Sequence, residues 1–370
     1  MEYGKAELRH FFNTFVFIGT IGALFILNLL SPSPEVLASE RRKPAKFPEL
    51  SISTIASAGF MNKFEGYAAD NFAFRDSFRA LRAFTVLDVL RMTDKSGIYR
   101  SKNVGVGEFR RVDAKAYAQS AEKIKTVADS LRAGGTNVYF TFVPDKSAYA
   151  ERYMPGFDPQ LAEDTLLGIL GGINYIKLAG SDALGAGSFY RTDLHWDQPE
   201  IFEVAELICQ ALGAVPDLGG YSKKNAGDFR GVYPGQLALP VPADSLFYMD
   251  LSTLKASYLS EKTLQFEQSP VYDPQRAGGI DPYDLFLQGP QPLIILENEA
   301  APEKELYLFR DSFGSSLAPF LAGAYSKITL IDLRYINWKI LNQLIRFEPG
   351  ADALFIYSSQ IFNNPSVLQV

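Results

Sequence analysis

The stretch ELYLFRDSFGSSLAPFLAGAYSKITLIDL, Glu305 to Leu333, decides the fold. An apolar run of strand length, Glu305 to Phe309, meets a charged turn and Ser312. Helix-like GSSLAPFLAGAYS follows, and a second apolar run, KITLIDL, closes the unit. Two apolar strands joined by a helix are expected to lie parallel, because a parallel pair needs a long crossover. The pattern repeats downstream, where helix-like INWKILNQLIRF leads into ADALFIYS, and it extends upstream. AKAYAQSAEKIKTVADSLRAGG reads as a helix ending at glycines, NVYFTFVP as a strand entering a loop at proline, INYIKL as a strand and EIFEVAELICQALGA as a helix. Strands alternating with helices predict a parallel sheet covered on both faces over residues 99–370. Between about 219 and 292 the pattern dissolves into Gly, Pro, Asp and Tyr, which reads as an irregular insertion.

The N-terminal part differs in kind. FFNTFVFIGTIGALFILNLL, Phe11 to Leu30, carries no charge and is long enough to span a bilayer. Lys5 and Arg9 precede it, fitting a cytoplasmic N-terminus, although Arg41, Arg42, Lys43 and Lys46 follow and weaken the asymmetry. Two readings remain: an uncleaved anchor over residues 1–30, or a signal peptide cleaved near Val36-Leu37-Ala38. Both place the bulk of the chain outside the cytoplasm. Residues 31–49 are rich in Pro, Ser and charge and read as a linker. Residues 50–98 carry FMNKFEGYAADNFAFRDSFRALRAFTVLDVLRM, whose three-and-four spacing predicts one or two amphipathic helices, a helical collar.

Composition narrows the function. The chain has 370 residues, 47% hydrophobic and 21% charged, with a net charge of -6, so it lacks the basic footprint of a nucleic-acid binder. One cysteine, Cys209, excludes an intramolecular disulfide and any multi-cysteine metal site, and its helix-like setting reads as a small buried apolar side chain.

Candidate chemistry collects where loops leave strands, the usual place in open α/β sheets. Only two histidines occur, and one of them, His195, stands in RTDLHW, two residues after Asp193 and directly before Trp196. Ser312 follows an apolar strand and precedes a helix opening at Gly314, where backbone N–H groups can face a developing oxyanion. The pentapeptide FRDSF occurs twice, at 74–78 and 309–313. The first copy sits inside an amphipathic helix pattern, so context, not the pentapeptide, separates Ser312 from Ser77. Ser312 reads either as a helix cap or as a nucleophile. Asp193 and His195 read either as a locally satisfied pair or as a base with its orienting carboxylate. Asp145 and Lys146, after the strand at 137–143, read either as a solvated turn or as lining of the same cleft. No histidine and carboxylate spacing fits a metal site.

Taken in order, AKFPELS, FEGYAADNFAFRDSF, GIYRSKN, VPDKSAYAERYMP, YRTDLHW, DPYDLFLQGPQPLIILEN and LFRDSFGSSLAPFLAGAYSKITLIDLRYI resemble the DHHW family, anchored bacterial extracytoplasmic proteins. That family is similar to the alginate O-acetyltransferase-like branch of the SGNH hydrolases. The resemblance covers nearly all of the chain after the anchor and is most specific at PDKSAY, YRTDLHW and DSFGSS. It implies a three-layer α/β/α fold with Ser312 as nucleophile, His195 as general base and Asp193 orienting it, and it places Asp145, Lys146, Tyr190 and Arg191 near the cleft. The implied function is a membrane-anchored, extracytoplasmic O-acyltransferase or esterase acting on acetyl esters of a cell-surface or exported polysaccharide, without a cofactor. A membrane O-acyltransferase of the MBOAT type is the implied acyl supplier. The alternative is a non-catalytic glycan-binding or assembly factor that keeps the fold. Two departures stand out. The signature reads Asp193-Leu194-His195-Trp196, so its first histidine is replaced while the Asp-x-His pair remains. Relatives often carry Gly-Asn where this chain has Gly289-Pro290-Gln291; losing one oxyanion donor costs on the order of 10²–10³ in rate.

Overall fold

A computed structural model describes residues 2–37, 40–51, 53, 59–151, 157–260 and 262–370. Ala38 of the expected cleavage context and Arg152 to Pro155 of VPDKSAYAERYMP lie outside the described residues. The chain divides into two units, residues 1–92 with 235–239, and residues 93–234 with 240–370.

In the first unit, helix α1 (Glu2–Leu30) contains one stretch, Arg9–Leu30, long and apolar enough to cross a membrane, and none of it is buried. Helix α2 (Gly59–Asp70) is held by the segment before it. The Arg42 guanidinium grips the Asp70 carboxylate with two hydrogen bonds of 2.6 Å, and the Ala45 N–H donates to the same carboxylate. The Arg42 hydrogen bond holds the Asp70 carboxyl below its ordinary range even though burial pushes it up. Phe47 meets Phe60, Phe64 and Tyr67 edge-on. The sequence pattern runs on through the first FRDSF, but the chain breaks there: Phe74 has φ 59°, and α3 (Arg75–Phe84) starts after it, continuing as a π turn to Val89. Ser77 therefore sits in a first helical turn with no strand ahead of it among the described residues.

The second unit opens with a small antiparallel sheet of β1 (Asp94–Lys95), β2 (Ile98–Ser101) and β3 (Gly105–Glu108). Next come α4 (Ala114–Ala133), β4 (Asn137–Val143), α5 (Pro159–Ile169), β5 (Asn174–Ile176) and α6 (Phe202–Ala211). Asp113 and Asp158 cap α4 and α5 through their carboxylates. The segment expected to be irregular holds β6 (Ser222–Phe229), α7 (Val232–Leu237), β7 (Asp244–Asp250), β8 (Leu254–Leu259) and β9 (Phe266–Ser269). β6 and β7 pair with each other through a bulge between Asn225 and Gly227. β6 is SKKNAGDF, nearly all exposed, so it lacks the apolar alternation by which a strand is recognised. The rest are β10 (Leu293–Asn298), β11 (Glu305–Arg310), α8 (Phe313–Leu321), β12 (Lys327–Ile331), α9 (Trp338–Leu344), β13 (Asp352–Ser358) and α10 (Ser359–Phe362).

The main sheet has the order β5-β4-β13-β11-β12-β10-β8-β9. The first five strands are parallel, as the crossover helices require, and β10, β8 and β9 extend the sheet antiparallel. Alternation along the central strands fills two cores. Leu306, Leu308, Leu354 and Ile356 face α6 and α8, whereas Tyr307, Phe309, Ala353, Phe355 and Tyr357 face α4, α5 and α9. This is the three-layer α/β/α architecture, with an antiparallel edge beyond the parallel core. The crossover through α8 moves to one side of β11 and that through α9 moves back past it on the opposite face, as one handedness demands. The loops after β4, β11, β12 and β13 consequently share one edge of the sheet.

Candidate active site

At the end of β11 the chain passes through Asp311 and Ser312 into α8. The Asp311 carboxylate accepts from the Phe313 N–H at 3.0 Å and from the Ser358 N–H at the end of β13 at 2.8 Å. It thus ties the turn to the neighbouring strand. Ser312 occupies the cap position with helical angles, and its side chain makes no capping hydrogen bond. The helix-cap reading of Ser312 is therefore overturned, because Asp311 satisfies the first turn. Gly314 is required for close approach. A Cβ there would lie 2.5 Å from the Cβ of Arg310, whose side chain runs beneath the first turn of α8.

The Ser312 hydroxyl lies 2.7 Å from His195 Nε2. His195 Nδ1 lies 2.7 Å from Asp193 Oδ1, and the His195 backbone N–H donates to the same oxygen at 3.1 Å. An ionised carboxylate only accepts, so Nδ1 carries the proton, Nε2 presents its lone pair, and the serine hydroxyl donates to it. Asp193 is buried, and its other oxygen accepts from the Val232 N–H at 2.9 Å. Burial pushes its carboxyl up, but the imidazole and the hydrogen bonds from His195 and Val232 prevail and hold it well below the ordinary carboxylate range. The carboxylate stays charged where the imidazole works.

Several contacts hold this loop rigid. Buried Trp196 donates its indole N–H to the Phe313 carbonyl at 3.1 Å and packs edge-on against the Phe313 ring. It pins the histidine loop to the turn that carries Ser312. The Asp244 carboxylate accepts from the N–H groups of Arg191 and Thr192 and from the Thr192 hydroxyl. Gly231 passes so close that a Cβ would stand 2.2 Å from the Thr192 carbonyl oxygen, so only glycine brings the Val232 N–H to Asp193.

The imidazole stacks on Tyr283, with centroids 3.9 Å apart and planes 10° from parallel. The Tyr283 hydroxyl donates to Ser316 Oγ at 2.8 Å. Sequence reasoning missed Tyr283 as a site residue. Its only signal was membership of DPYDLF, one of the segments carrying the family resemblance. A cleft of about 210 Å³ opens beside Ser312 and His195, lined also by Tyr283, Gly289, Pro290 and Arg334. Beneath it Arg310 and Arg334 share the Asp332 carboxylate, at 3.5 Å and 2.6 Å, and burial pushes the Arg310 guanidinium down.

Asp145, Lys146, Tyr190 and Arg191, expected near the cleft, do not line it. Lys146 is a buried anchor whose ammonium donates to the carbonyls of Val106, Tyr190 and Asp193 at 2.9, 2.7 and 2.9 Å. Burial pushes its amine down to about 8. Asp145 is also buried and caps its own turn at the Ser147 N–H, which replaces the solvated-turn reading of both residues. Tyr190 packs against Phe229, and burial raises its hydroxyl far above the ordinary value. Arg191 is exposed and donates to the carbonyls of Lys102 and Asn103. Lys146, Tyr190 and Arg191 brace the loop through these contacts. Among the described residues, no cluster of His, Cys, Asp and Glu could hold a metal ion.

No family model matches the chain, and no curated protein matches it. Solved structures do. A DHHW family protein from Eubacterium siraeum superposes with a TM-score of 0.61 at 18% identity, covering 74% of this chain and 94% of that one. Bacillus cereus PatB1 superposes with a TM-score of 0.59 at 18% identity, covering 74% and 99%. PatB1 with a sulfonyl adduct gives 0.56 at 18% identity, covering 72% and 97%. At such identity these likenesses establish the fold alone: about three quarters of the chain shares the architecture of a DHHW family protein and of PatB1.

Proposed function

We propose that this chain is a serine acyl-ester enzyme of the SGNH type, anchored by α1 with its second unit outside the cytoplasm, acting on acetyl esters of a cell-surface or exported polysaccharide. The observation that carries this reading is the unbroken hydrogen-bonded run from Asp193 through His195 to a Ser312 hydroxyl left out of helix capping. Ser312 Oγ attacks the acyl carbonyl carbon while His195 Nε2 takes its proton, and the new imidazolium is balanced by Asp193. The tetrahedral intermediate collapses, the donor oxygen leaves with the proton from His195, and Ser312 holds the acyl group as an ester. A sugar hydroxyl or water then attacks, losing its proton to His195, and Ser312 is released. The N–H of Phe313 is engaged by Asp311, so the Ser312 N–H is the backbone donor assigned to the oxyanion. Transfer to a sugar is favoured by the family resemblance, with an MBOAT-type membrane O-acyltransferase as acyl supplier.

A second reading, a non-catalytic glycan-binding or assembly factor, draws on the Gly289-Pro290-Gln291 segment. Gly289 and Pro290 line the cleft, Pro290 has no N–H, and the Gly289 N–H already donates to the Phe286 carbonyl at 3.1 Å. That wall offers few donors to an oxyanion.

A fluorophosphonate probe separates the two. The full chain is expected to label at Ser312, Ser312→Ala and His195→Ala to abolish labelling, and Ser77→Ala to leave it intact. PatB1 carries a sulfonyl adduct, so a sulfonyl fluoride is a fitting second electrophile. A wild-type chain inert to both reagents and to acetyl esters sinks the enzyme reading in favour of the binding one.

A further inference from the structure

Helix α3 presents the wrong faces for a helix on a soluble protein. Two of its three arginines turn inward: Arg75 and Arg79 reach the Glu40 carboxylate at 2.6 and 3.0 Å, and Arg79 also donates to the Gly235 carbonyl at 2.8 Å, whereas Arg82 is exposed. Ala83 on that side is fully buried. The outward side carries an apolar row beside exposed Asp76 and Arg82. Phe78 and Leu81, three apart and so on one face, are 46 and 61% exposed, and Phe74 at the turn ahead of the helix is 61% exposed. Phe84, Val89, Leu90 and Met92 continue the exposed apolar surface beyond them. A soluble helix buries its apolar stripe and wets its charges, so this row is built to be covered.

What covers it follows from α1. The apolar stretch Arg9–Leu30 has 22 residues, which at a rise of about 1.5 Å per residue spans roughly 33 Å, close to the ~30 Å hydrocarbon thickness of a bilayer. Asn28 lies in the last turn of α1, at the edge of such a span. Its side-chain oxygen accepts from the Ala73 N–H at 2.8 Å, directly ahead of α3. Ala73, and Phe74 beside it, are thereby held at the level where the span ends.

We propose that α3 is an interfacial helix, lying with Phe74, Phe78 and Leu81 in the headgroup–acyl boundary of the membrane that α1 crosses. The inference rests on reading α1 as a span. Because Arg75 and Arg79 are engaged within the unit and Arg82 is the one exposed arginine of α3, apolar burial drives the contact, and zwitterionic lipid suffices.

The test uses the full chain in phosphatidylcholine nanodiscs, with Cys209, which is buried, left in place. An environment-sensitive fluorophore is attached at Leu81→Cys, at Phe17→Cys within α1, and at Val215→Cys, an 83% exposed site in the second unit. Lipids with brominated acyl chains then serve as quenchers. The expected result is that the labels at 17 and 81 both lose most of their emission while the label at 215 keeps it, and that Phe78→Asp in the 81-labelled chain restores emission. Quenching at 17 without quenching at 81 overturns the interfacial helix and leaves the anchor standing. A label at 81 that resists quenching yet shifts to shorter wavelength with rising protein concentration also overturns it, showing that a second copy covers the row. Absence of quenching at 17 as well overturns the anchor itself.

Discussion

Lys146→Met removes a buried cation that holds the histidine loop, and its cost can be worked from three distances. The ammonium donates to the carbonyls of Val106, Tyr190 and Asp193 at 2.7 to 2.9 Å, all in the buried interior. Methionine has similar volume and no donor, so those carbonyls lose their partner at about 1–3 kcal/mol each, or roughly 3–9 kcal/mol together. Against this, the variant no longer buries a charge. The shift of Lys146 from 10.5 to about 8, caused first by desolvation, measures that burden; at 1.36 kcal/mol per pKa unit it is roughly 3 kcal/mol. The lost hydrogen bonds outweigh it, leaving a net destabilisation of about 3 kcal/mol at neutral pH. Thermal unfolding of the full chain followed by near-ultraviolet circular dichroism should show a midpoint lower by roughly 6 °C. The sign of the pH dependence is also set. Below about pH 8 the amine is charged in both folded and unfolded chains, and wild type carries the full burden of the buried charge. Between about 8 and the unfolded value of 10.5 the folded chain releases its proton first, so wild-type stability relative to Lys146→Met rises with pH across that window. An unchanged midpoint for Lys146→Met would refute the anchoring role of the three carbonyl contacts. A wild-type advantage that stays flat from pH 7 to 10 would refute the buried charge.

Asp193→Asn keeps the shape of the pair but cannot fix the imidazole tautomer, so the rate of probe labelling should fall on the order of 10³–10⁴-fold. Because the Asp193 carboxyl is depressed in the folded chain, its ionisation stabilises wild type over this variant above the ordinary carboxylate range, and the advantage should vanish only on strong acidification, read by acid unfolding of both chains. Gly314→Ala places a methyl 2.5 Å from the Arg310 Cβ, a clash between two atoms fixed by strand and helix. About 1–3 kcal/mol of stability should be lost, and labelling should slow as Ser312 is displaced. Full-rate labelling with an unchanged unfolding midpoint would show that the turn is softer than its packing implies.

The central strands and their crossover helices were legible because each satisfies its own pattern. Leu306 and Leu308 alternate with Tyr307 and Phe309, and each set fills one core. The β6–β7 pair and the antiparallel edge of the main sheet were not legible. β6 is exposed along nearly its whole length, and β8 and β9 are short strands whose pairing depends on β10 already being in place. The serine was separable from its twin at Ser77 by strand-turn-helix context, although no local rule could say that Asp311 would cap the helix and release the Ser312 hydroxyl.

From the residues alone follow a parallel sheet covered on both faces, the apolar N-terminal helix and Ser312, His195 and Asp193 as candidates, while their catalytic roles came from the family resemblance. The sheet, the helix and the candidates rest on periodicity and residue chemistry, which are local properties of the chain. Only the tertiary structure decided that His195 and Ser312, 117 residues apart, meet at 2.7 Å. It also made Lys146 an anchor for carbonyls 40 to 47 residues away, and laid Tyr283 flat against the imidazole. Such contacts depend on which loops the strand order brings to one sheet edge, and a linear pattern of residues carries no record of that convergence.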